Sequence, residues 1–205
     1  MAPPLPSPLS EVVSADADAP IDDLRRLGAR VHPWSAAPVT GPRGVRCGVE
    51  DGVSLSRGPT GVRWNRPVQA SATFALRLVS FEQVAQEEAR RIFGTGVARI
   101  EHLGSYVCRP VRGSAGSPSE HARGDAVDVA AFVLQSGRRI TVQKDFVRAQ
   151  ALPATKPGQF LRALVERLRA ESVFGTILTP DYDAHHYNHL HLDGRQWSLW
   201  FGDAA

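Results

Sequence analysis

Apolar residues recur at helical spacing in two segments of the chain. The first segment, residues 81–93, opens with the capping-box form S-x-x-Q at Ser80–Gln83 and is followed by Gly94. The second segment, Gln159–Ala170, has apolar side chains on one face and charged side chains on the other. We therefore predict two amphipathic helices whose apolar faces pack in the core and carry no chemistry.

Short segments rich in β-branched and apolar residues lie between and after these helices and are typical of strands. They are Val97–His102, Ser105–Arg109, Val127–Leu134, Arg138–Val142, Phe174–Leu178 and Asn188–Asp193. The sequence at residues 135–137 predicts a hairpin turn between two of them. Because the helices are segregated from neighbouring strands, we expect an α+β fold in which helices flank an antiparallel β-sheet.

The N-terminal third of the chain lacks sustained periodicity. Residues 1–20 are rich in Pro, Ala, Ser and Asp, which predicts a flexible tail. Residues 21–66 show a short helical pattern at Leu24 and Leu27, and then contain four prolines and many glycines. This composition predicts a loop-rich wrap around the core. The length of the chain favours one domain, which we place at residues 21–205.

Composition excludes several classes of protein. The 205 residues include 42% hydrophobic and 22% charged residues, as in globular proteins and unlike collagen, coiled coils or disordered chains. The formal net charge is +3 with basic residues scattered among acidic ones, so we expect no nucleic-acid partner. No apolar run approaches the ~18 residues of a transmembrane segment. No secretion signal is visible, which is weak evidence about compartment. A monomer is the default expectation.

Histidines are concentrated near the C-terminal end. Four of the seven lie within residues 183–193. Side chains two apart in a strand point to the same face, so His189, His191 and Asp193 would line one side while the intervening leucines pack into the core. A surface strand with polar side chains outward is the alternative interpretation of this segment.

A second cluster joins a histidine and a carboxylate through a turn. His121 and Asp128 flank Gly124, which permits the backbone conformation that brings the loop back towards the site. A catalytic zinc typically has three nitrogen or oxygen ligands and one open position for water. Two imidazoles and one carboxylate meet this requirement. The remaining histidine of the H-x-H pair can then serve as a general base.

The pattern S-x-H-x-x-G-x-A-x-D is matched in full by residues 119–128, and an H-x-H pair follows it. This combination resembles the peptidase group that includes lysostaphin-type endopeptidases, D-Ala-D-Ala carboxypeptidases and the hedgehog signalling domain. More closely, Gly104–Arg109, Ser119–Phe132 and His186–Asp193 resemble the bacterial extensin-like C-terminal family. The similarity extends in weaker form over roughly residues 45–195.

The resemblance implies a role for each residue of the pattern. It implies that His121, Asp128 and His191 bind one zinc ion and that His189 assists the attacking water. Arg109 sits where related carboxypeptidases place an arginine, after a strand with an S-G-Y-like sequence.

Arg109 and Ser119 are therefore expected to contact the substrate carboxylate or the developing oxyanion. The alternatives are a surface or ion-paired arginine for Arg109 and a turn-capping role for Ser119. His186 also matches the extensin-like pattern, as a substrate group or an outer partner of the metal site, whereas His185 does not match.

The remaining polar candidates are less specific. Asp193 could orient an imidazole or simply end the strand in solvent. His32 and His102 have no partner pattern and are expected to be structural.

Cys47 and Cys108 lie far apart and do not fit the C-x-x-C spacing of a structural zinc site. They would form one disulfide in an exported protein or stay free thiols in a cytosolic one. The extensin-like family often has further cysteines, including one where Ser172 stands here. If disulfides are lost as whole pairs, the two retained cysteines are partners, which favours a periplasmic or secreted protein.

The leading functional hypothesis is zinc-dependent hydrolysis of a peptide bond in peptidoglycan, with the substrate class implied by the resemblance alone. The main alternative is a non-hydrolytic zinc domain that binds wall polymer or a protein partner. A metal-dependent nuclease lacks a clustered basic strip, and a structural wall protein like the plant extensins lacks Ser-Pro repeats.

Overall fold

The computed structural model describes residues 19–195, in which one eight-stranded sheet is combined with helices. The strand order is β1-β2-β3-β4-β5-β8-β7, and β6 also pairs with β5. The strands are β1 Arg30–Thr40, β2 Arg46–Arg57, β3 Arg63–Ser71, β4 Val97–Gly104, β5 Ala126–Leu134, β6 Arg139–Thr141, β7 Thr176–Leu178 and β8 Leu190–Asp193. The helices are α1 Ala19–Arg26, α2 Ala72–Phe93, α3 Val142–Asp145 and α4 Lys156–Ala170.

The β3–β4 pair is parallel and the other pairs are antiparallel. The predicted α+β class with a mostly antiparallel sheet is confirmed.

Helix α2 begins well before the predicted start at residue 81. Its N-cap is Ser71, whose hydroxyl accepts a hydrogen bond from the Phe74 amide at 3.1 Å. The capping-box sequence at Ser80–Gln83 therefore lies inside the helix, because the apolar face continues upstream of it. The predicted end is correct, since Gly94 has φ 70° and closes the helix in the left-handed conformation.

Helix α4 begins at Lys156, close to the predicted start, and is capped by the Thr155 hydroxyl. Helices α2 and α4 pack against each other over the sheet through a chain of aromatic contacts. Phe81 of α2 lies with its ring centroid 6.1 Å from that of Phe132 in β5, and Phe132 lies 5.1 Å from Phe160 of α4. All three rings are fully buried, so the apolar faces of both helices form the core as predicted.

The prediction of a loop-rich wrap at residues 21–66 is wrong. Strands β1 and β2 and the start of β3 occupy most of it. Pro33 and Pro38 lie in β1, which pairs only with β2 and is therefore an edge strand, where a residue without an amide hydrogen is tolerated. Gly52 allows the close approach of the two strands, because a Cβ there would lie 2.6 Å from the Trp34 carbonyl oxygen. Pro33, Pro38 and Gly52 therefore occupy strand positions, although these residue types predicted loops.

Several of the predicted strands also differ from those in the structure. Residues 105–109 form an extended loop rather than a strand, and β8 begins at Leu190, so that His189 lies before it. Val142 begins α3 instead of ending β6. The predicted turn at residues 135–137 is confirmed by the hydrogen bond from the Gly137 amide to the Leu134 carbonyl.

The predicted tail at residues 1–20 lies outside the described residues except for its last two, which begin α1. Leu24 of α1 is fully buried and belongs to the core. Among residues 19–195, no helix is both long and apolar enough to cross a membrane.

Candidate metal centre

The pairing of β5 with β8 brings the first two site residues together. Asp128 and His191 are direct cross-strand partners, so their side chains share one face of the sheet. Leu190 and Leu192 are fully buried on the opposite face, as the alternation in the sequence predicts. The Asp128 Oδ1 atom lies 3.0 Å from His191 Nδ1.

His121 enters the site from a 3-10 turn, Glu120–Arg123, that precedes β5. Gly124 ends this turn with φ 72°, and a Cβ at this position would lie 2.8 Å from the Ser71 amide nitrogen. Only glycine therefore fits both the backbone conformation and the space. The His121 side chain is 1% exposed, and its Nε2 atom lies 3.3 Å from both Asp128 Oδ1 and His191 Nδ1.

Each imidazole of the trio has its outward nitrogen paired with an oxygen. His121 Nδ1 donates to the Ser105 carbonyl oxygen, and His191 Nε2 lies 3.2 Å from Asp193 Oδ2. Such outer hydrogen bonds fix the ring orientation and leave the other nitrogen free to ligate. One nitrogen from each imidazole and one oxygen of Asp128 lie within 4.8 Å of one another. His121, Asp128 and His191 can therefore hold a metal ion.

The electrostatic environment keeps the carboxylate of this trio ionised. Burial by itself would raise the pKa of Asp128, but hydrogen bonds and charge interactions with His121 and His191 outweigh it and hold that pKa well below its usual range. For His191 burial acts in the opposite direction and would lower the pKa, but the hydrogen bonds to Asp128 and Asp193 raise it to about 9. The two carboxylates therefore favour positive charge at this position.

His189 lies beside the trio without belonging to it. Its Nε2 atom is 3.5 Å from Asp128 Oδ1, and its Nδ1 atom is 2.9 Å from the side-chain oxygen of Asn188. Burial is the main cause that lowers the pKa of His189 to about 4, with a smaller contribution from the nearby histidines. Its imidazole is therefore neutral at pH 7 and able to accept a proton.

The segment before His189 forms one wall of a cleft over the trio. Asp183 caps the 3-10 turn Ala184–His186, and its carboxylate lies 2.7 Å from His186 Nδ1. The ring centroids of His186 and His189 are 5.1 Å apart. His186 thus lines the cleft with its ring oriented by Asp183. His185, which does not match the extensin-like pattern, lines the cleft and contacts Arg112.

The cleft has a volume of about 350 Å³ and includes Arg109 and Ser119 in its lining. Within residues 19–195, Arg109 forms no ion pair with a carboxylate, and its Nη1 atom donates to the Pro110 carbonyl at 3.4 Å. Ser119 precedes the turn that carries His121, but its side chain makes no capping hydrogen bond there. The structure therefore brings both predicted substrate contacts to the same cleft as the trio.

Other polar groups of the cleft carry no pattern in the sequence. Thr176 lines it with a buried hydroxyl that has no hydrogen-bond partner among the described residues. Arg195 lies 3.2 Å from Glu120 and 3.7 Å from Asp193, and so links the turn that carries His121 to the end of β8. Arg195 and Glu120 are 75 residues apart in sequence, so spacing along the chain cannot reveal their contact.

Two histidines lie away from the cleft. His102 is buried in β4 with Nε2 3.1 Å from the Arg66 carbonyl oxygen. His32 is exposed on β1. Both lie outside the site, as expected.

Cys47 and Cys108 form a disulfide, which settles the alternative that the sequence left open. Cys47 is in β2, and Cys108 lies immediately before Arg109 in the loop after β4. The disulfide packs against Val45 and Ala122, the latter adjacent to His121. It therefore fixes the loop of Arg109 and the turn of His121 to the same strand.

The fold and the site together define a class: an α+β domain in which Asp128 and His191 of the sheet and His121 of the preceding turn are arranged so that they can hold a metal ion in a cleft. The sequence matches the family described as the extensin-like protein C-terminus over residues 24–200, and the chain belongs to this family. No curated protein and no solved structure matches the chain.

Proposed function

We propose that this protein is a zinc-dependent peptidase that hydrolyses a peptide bond in peptidoglycan. The observation that carries the proposal is the arrangement of His121, Asp128 and His191, which present three ligand atoms to one point while both outward imidazole nitrogens are paired with oxygens. Nitrogen and oxygen ligands in this number are those that a catalytic zinc takes, whereas structural zinc sites are closed by four protein ligands.

The residues around the trio support hydrolysis over a purely structural role. When bound, zinc supplies a Lewis acid and lowers the pKa of a water ligand. His189 lies 3.5 Å from Asp128 and outside the ligand set, so that its neutral imidazole is available to take a proton from the attacking water. Asn188 holds the other nitrogen of His189 and so orients the ring.

Other residues of the cleft have groups suited to the substrate. Arg109 lines the cleft without a carboxylate partner among residues 19–195, and is proposed to donate to a substrate carboxylate or to the developing oxyanion. Ser119 is proposed to assist it through its side-chain hydroxyl. His186, oriented by Asp183, is proposed to contact the peptide from the wall of the cleft that precedes His189.

The substrate class rests on the resemblance of the Ser119–Asp128 and H-x-H patterns to D-Ala-D-Ala and lysostaphin-type peptidases. The disulfide supports a periplasmic or secreted location, because such bonds persist in oxidising compartments. Peptidoglycan is the peptide-containing polymer that a bacterial protein meets there.

The test is incubation of the zinc-loaded protein with purified muropeptides, followed by mass spectrometry of the products. We expect cleavage by the wild type, loss of cleavage with zinc retained in His189→Ala, and unchanged cleavage in the control His32→Ala, whose side chain is exposed on β1. Absence of cleavage of any muropeptide by the zinc-loaded wild type would contradict the proposal and favour a zinc-containing binding domain.

A further inference from the structure

A second recess adjoins the cleft and shares part of its wall. It has a volume of about 410 Å³ and is lined by residues 109–113 together with Arg43. Arg109, Val111 and Arg112 line both the recess and the cleft, so the two are adjacent. Arg43 and Arg112 are both exposed. Two guanidinium groups beyond Arg109 are thus gathered beside the metal centre.

The positive charge of these two arginines is not neutralised within the part of the chain that the structure describes. Arg43 Nη1 donates to the Ser114 carbonyl at 2.9 Å, and Arg112 Nη1 lies 3.0 Å from His185 Nδ1. Neither partner is a carboxylate. No carboxylate lines the recess.

The acidic residues of the neighbouring cleft are already engaged. The four carboxylates of the cleft each have an arginine or histidine partner. They belong to Glu120, Asp128, Asp183 and Asp193. None of these four carboxylates forms an ion pair with Arg112 or Arg43 among the described residues. An anionic group entering from the cleft would meet these two arginines without competition from a carboxylate of the protein.

The loop that carries Arg112 is held in one conformation. The disulfide fixes it at Cys108, a bridge joins Pro110 to Pro118, and the Val111 amide donates to the Ser117 carbonyl at 2.8 Å. The hydrogen bond from Arg43 to Ser114 ties the tip of the loop to the segment before β2. The guanidinium groups are thus positioned before a ligand arrives, which reduces the entropy lost on binding.

We propose that Arg43 and Arg112 form a carboxylate-binding subsite that holds a free carboxylate of the peptide substrate at a residue outside the scissile bond. The identity of the ligand as a peptide rests on the proposed function. Arginine forms paired hydrogen bonds to carboxylates, and a peptide extending from the metal centre past Arg109 reaches this subsite directly. Binding of an extended phosphate polymer would require a longer strip of basic residues than two arginines.

The test compares two synthetic stem peptides that end in D-Ala-D-Ala. One has a single free side-chain carboxylate and the other has a carboxamide in its place. Binding to the zinc-loaded full chain is measured by calorimetry in a His189→Ala background, so that the peptide is not consumed. We expect Arg112→Gln and Arg43→Gln each to weaken binding of the carboxylate peptide about tenfold and to leave binding of the carboxamide peptide unchanged.

The matched control is Arg90→Gln, which removes the same charge from an exposed position on α2 outside both recesses. It is expected to change neither affinity. Equal binding of the two peptides by the parent protein, or unaltered binding in both arginine variants, would overturn the subsite. Tighter binding of a glycerol phosphate oligomer than of the carboxylate peptide, lost in the same variants, would overturn the assignment to a peptide. If the wild type binds the peptides with this difference but cleaves no muropeptide, the proposed activity fails and the subsite stands.

Discussion

Asp128 Oδ1 lies 3.0 Å from His191 Nδ1 because the two residues are direct partners in the ladder between β5 and β8. Backbone hydrogen bonds therefore set the distance between two of the three potential ligands. His121 reaches them from a turn closed by Gly124, and its buried ring is held by the Ser105 carbonyl. A site built on a rigid ladder holds its geometry without the ion, which favours tight and selective metal binding.

Replacement of Asp128 by Asn is expected to remove the metal. The substitution keeps the shape of the side chain but removes the negative charge at the centre of the trio, so affinity should fall by about 100-fold or more. Metal analysis of purified protein should find about one zinc per chain in the wild type and much less in Asp128→Asn. The control is Asp183→Asn, which changes a carboxylate of the same cleft that contacts His186 instead. Full zinc content in Asp128→Asn would contradict the assignment.

Asp193→Asn tests the outer partner of His191. Asp193 accepts from His191 Nε2 and is 1% exposed, so its charge acts on the imidazole without screening by solvent. Its loss should lower zinc affinity by about 10–100-fold, the usual effect of such partners. Competition with a chromophoric chelator measures this affinity, and urea denaturation checks that the fold is intact. An affinity equal to that of the wild type would show that Asp193 does not support the site.

Removal of the disulfide should destabilise the protein. Cys47 and Cys108 are separated by 61 residues, so the bond restricts a large loop in the unfolded chain. We expect the double variant Cys47→Ser, Cys108→Ser to lose about 2–5 kcal/mol of unfolding free energy in urea. Intact mass after alkylation, with and without reductant, checks the bond directly. Two free thiols in the unreduced folded wild type would contradict it.

Glu82 should make the protein less stable at alkaline pH. Its carboxyl group is buried beneath Gly58 and accepts from Trp64 Nε1 at 2.8 Å. Burial outweighs the hydrogen bonds from Trp64 and Thr60 and raises the pKa of Glu82 to about 8, from 4.5. The folded state therefore holds more protons than the unfolded state between these values. Stability falls as pH rises from about 4.5 to 8, by up to about 1.4 kcal/mol per pH unit.

The measurement is urea denaturation at pH 5, 7 and 9. Glu82→Gln removes the titrating group and should flatten this decline. The unfolding free energy of the variant should therefore rise relative to that of the wild type as the pH increases. Glu87→Gln is the matched control, because Glu87 lies on the same helix with its side chain exposed. An equal decline with pH in Glu82→Gln and in the wild type would exclude this role of Glu82.

The sequence by itself determined the local features of the fold. The apolar stripe of α4, the end of α2 at Gly94 and the alternation around His191 were all predicted, because each depends on side-chain period or on the backbone freedom of one residue. The residues of the S-x-H-x-x-G-x-A-x-D and H-x-H patterns were identified through their resemblance to known families. The family match confirms the extensin-like part of that resemblance.

Only the tertiary structure decided what depends on contacts between distant parts of the chain. Because β1 lies at the edge of the sheet, its proline-containing segment can form a strand. The register of β5 on β8 places Asp128 opposite His191. The position of the Ser105 carbonyl beside His121 and the recess at Arg112 also depend on loops that contacts between distant parts of the chain hold in place. Propensity and spacing describe neighbours along the chain, whereas register and edge position are set by which strands bury each other's surfaces.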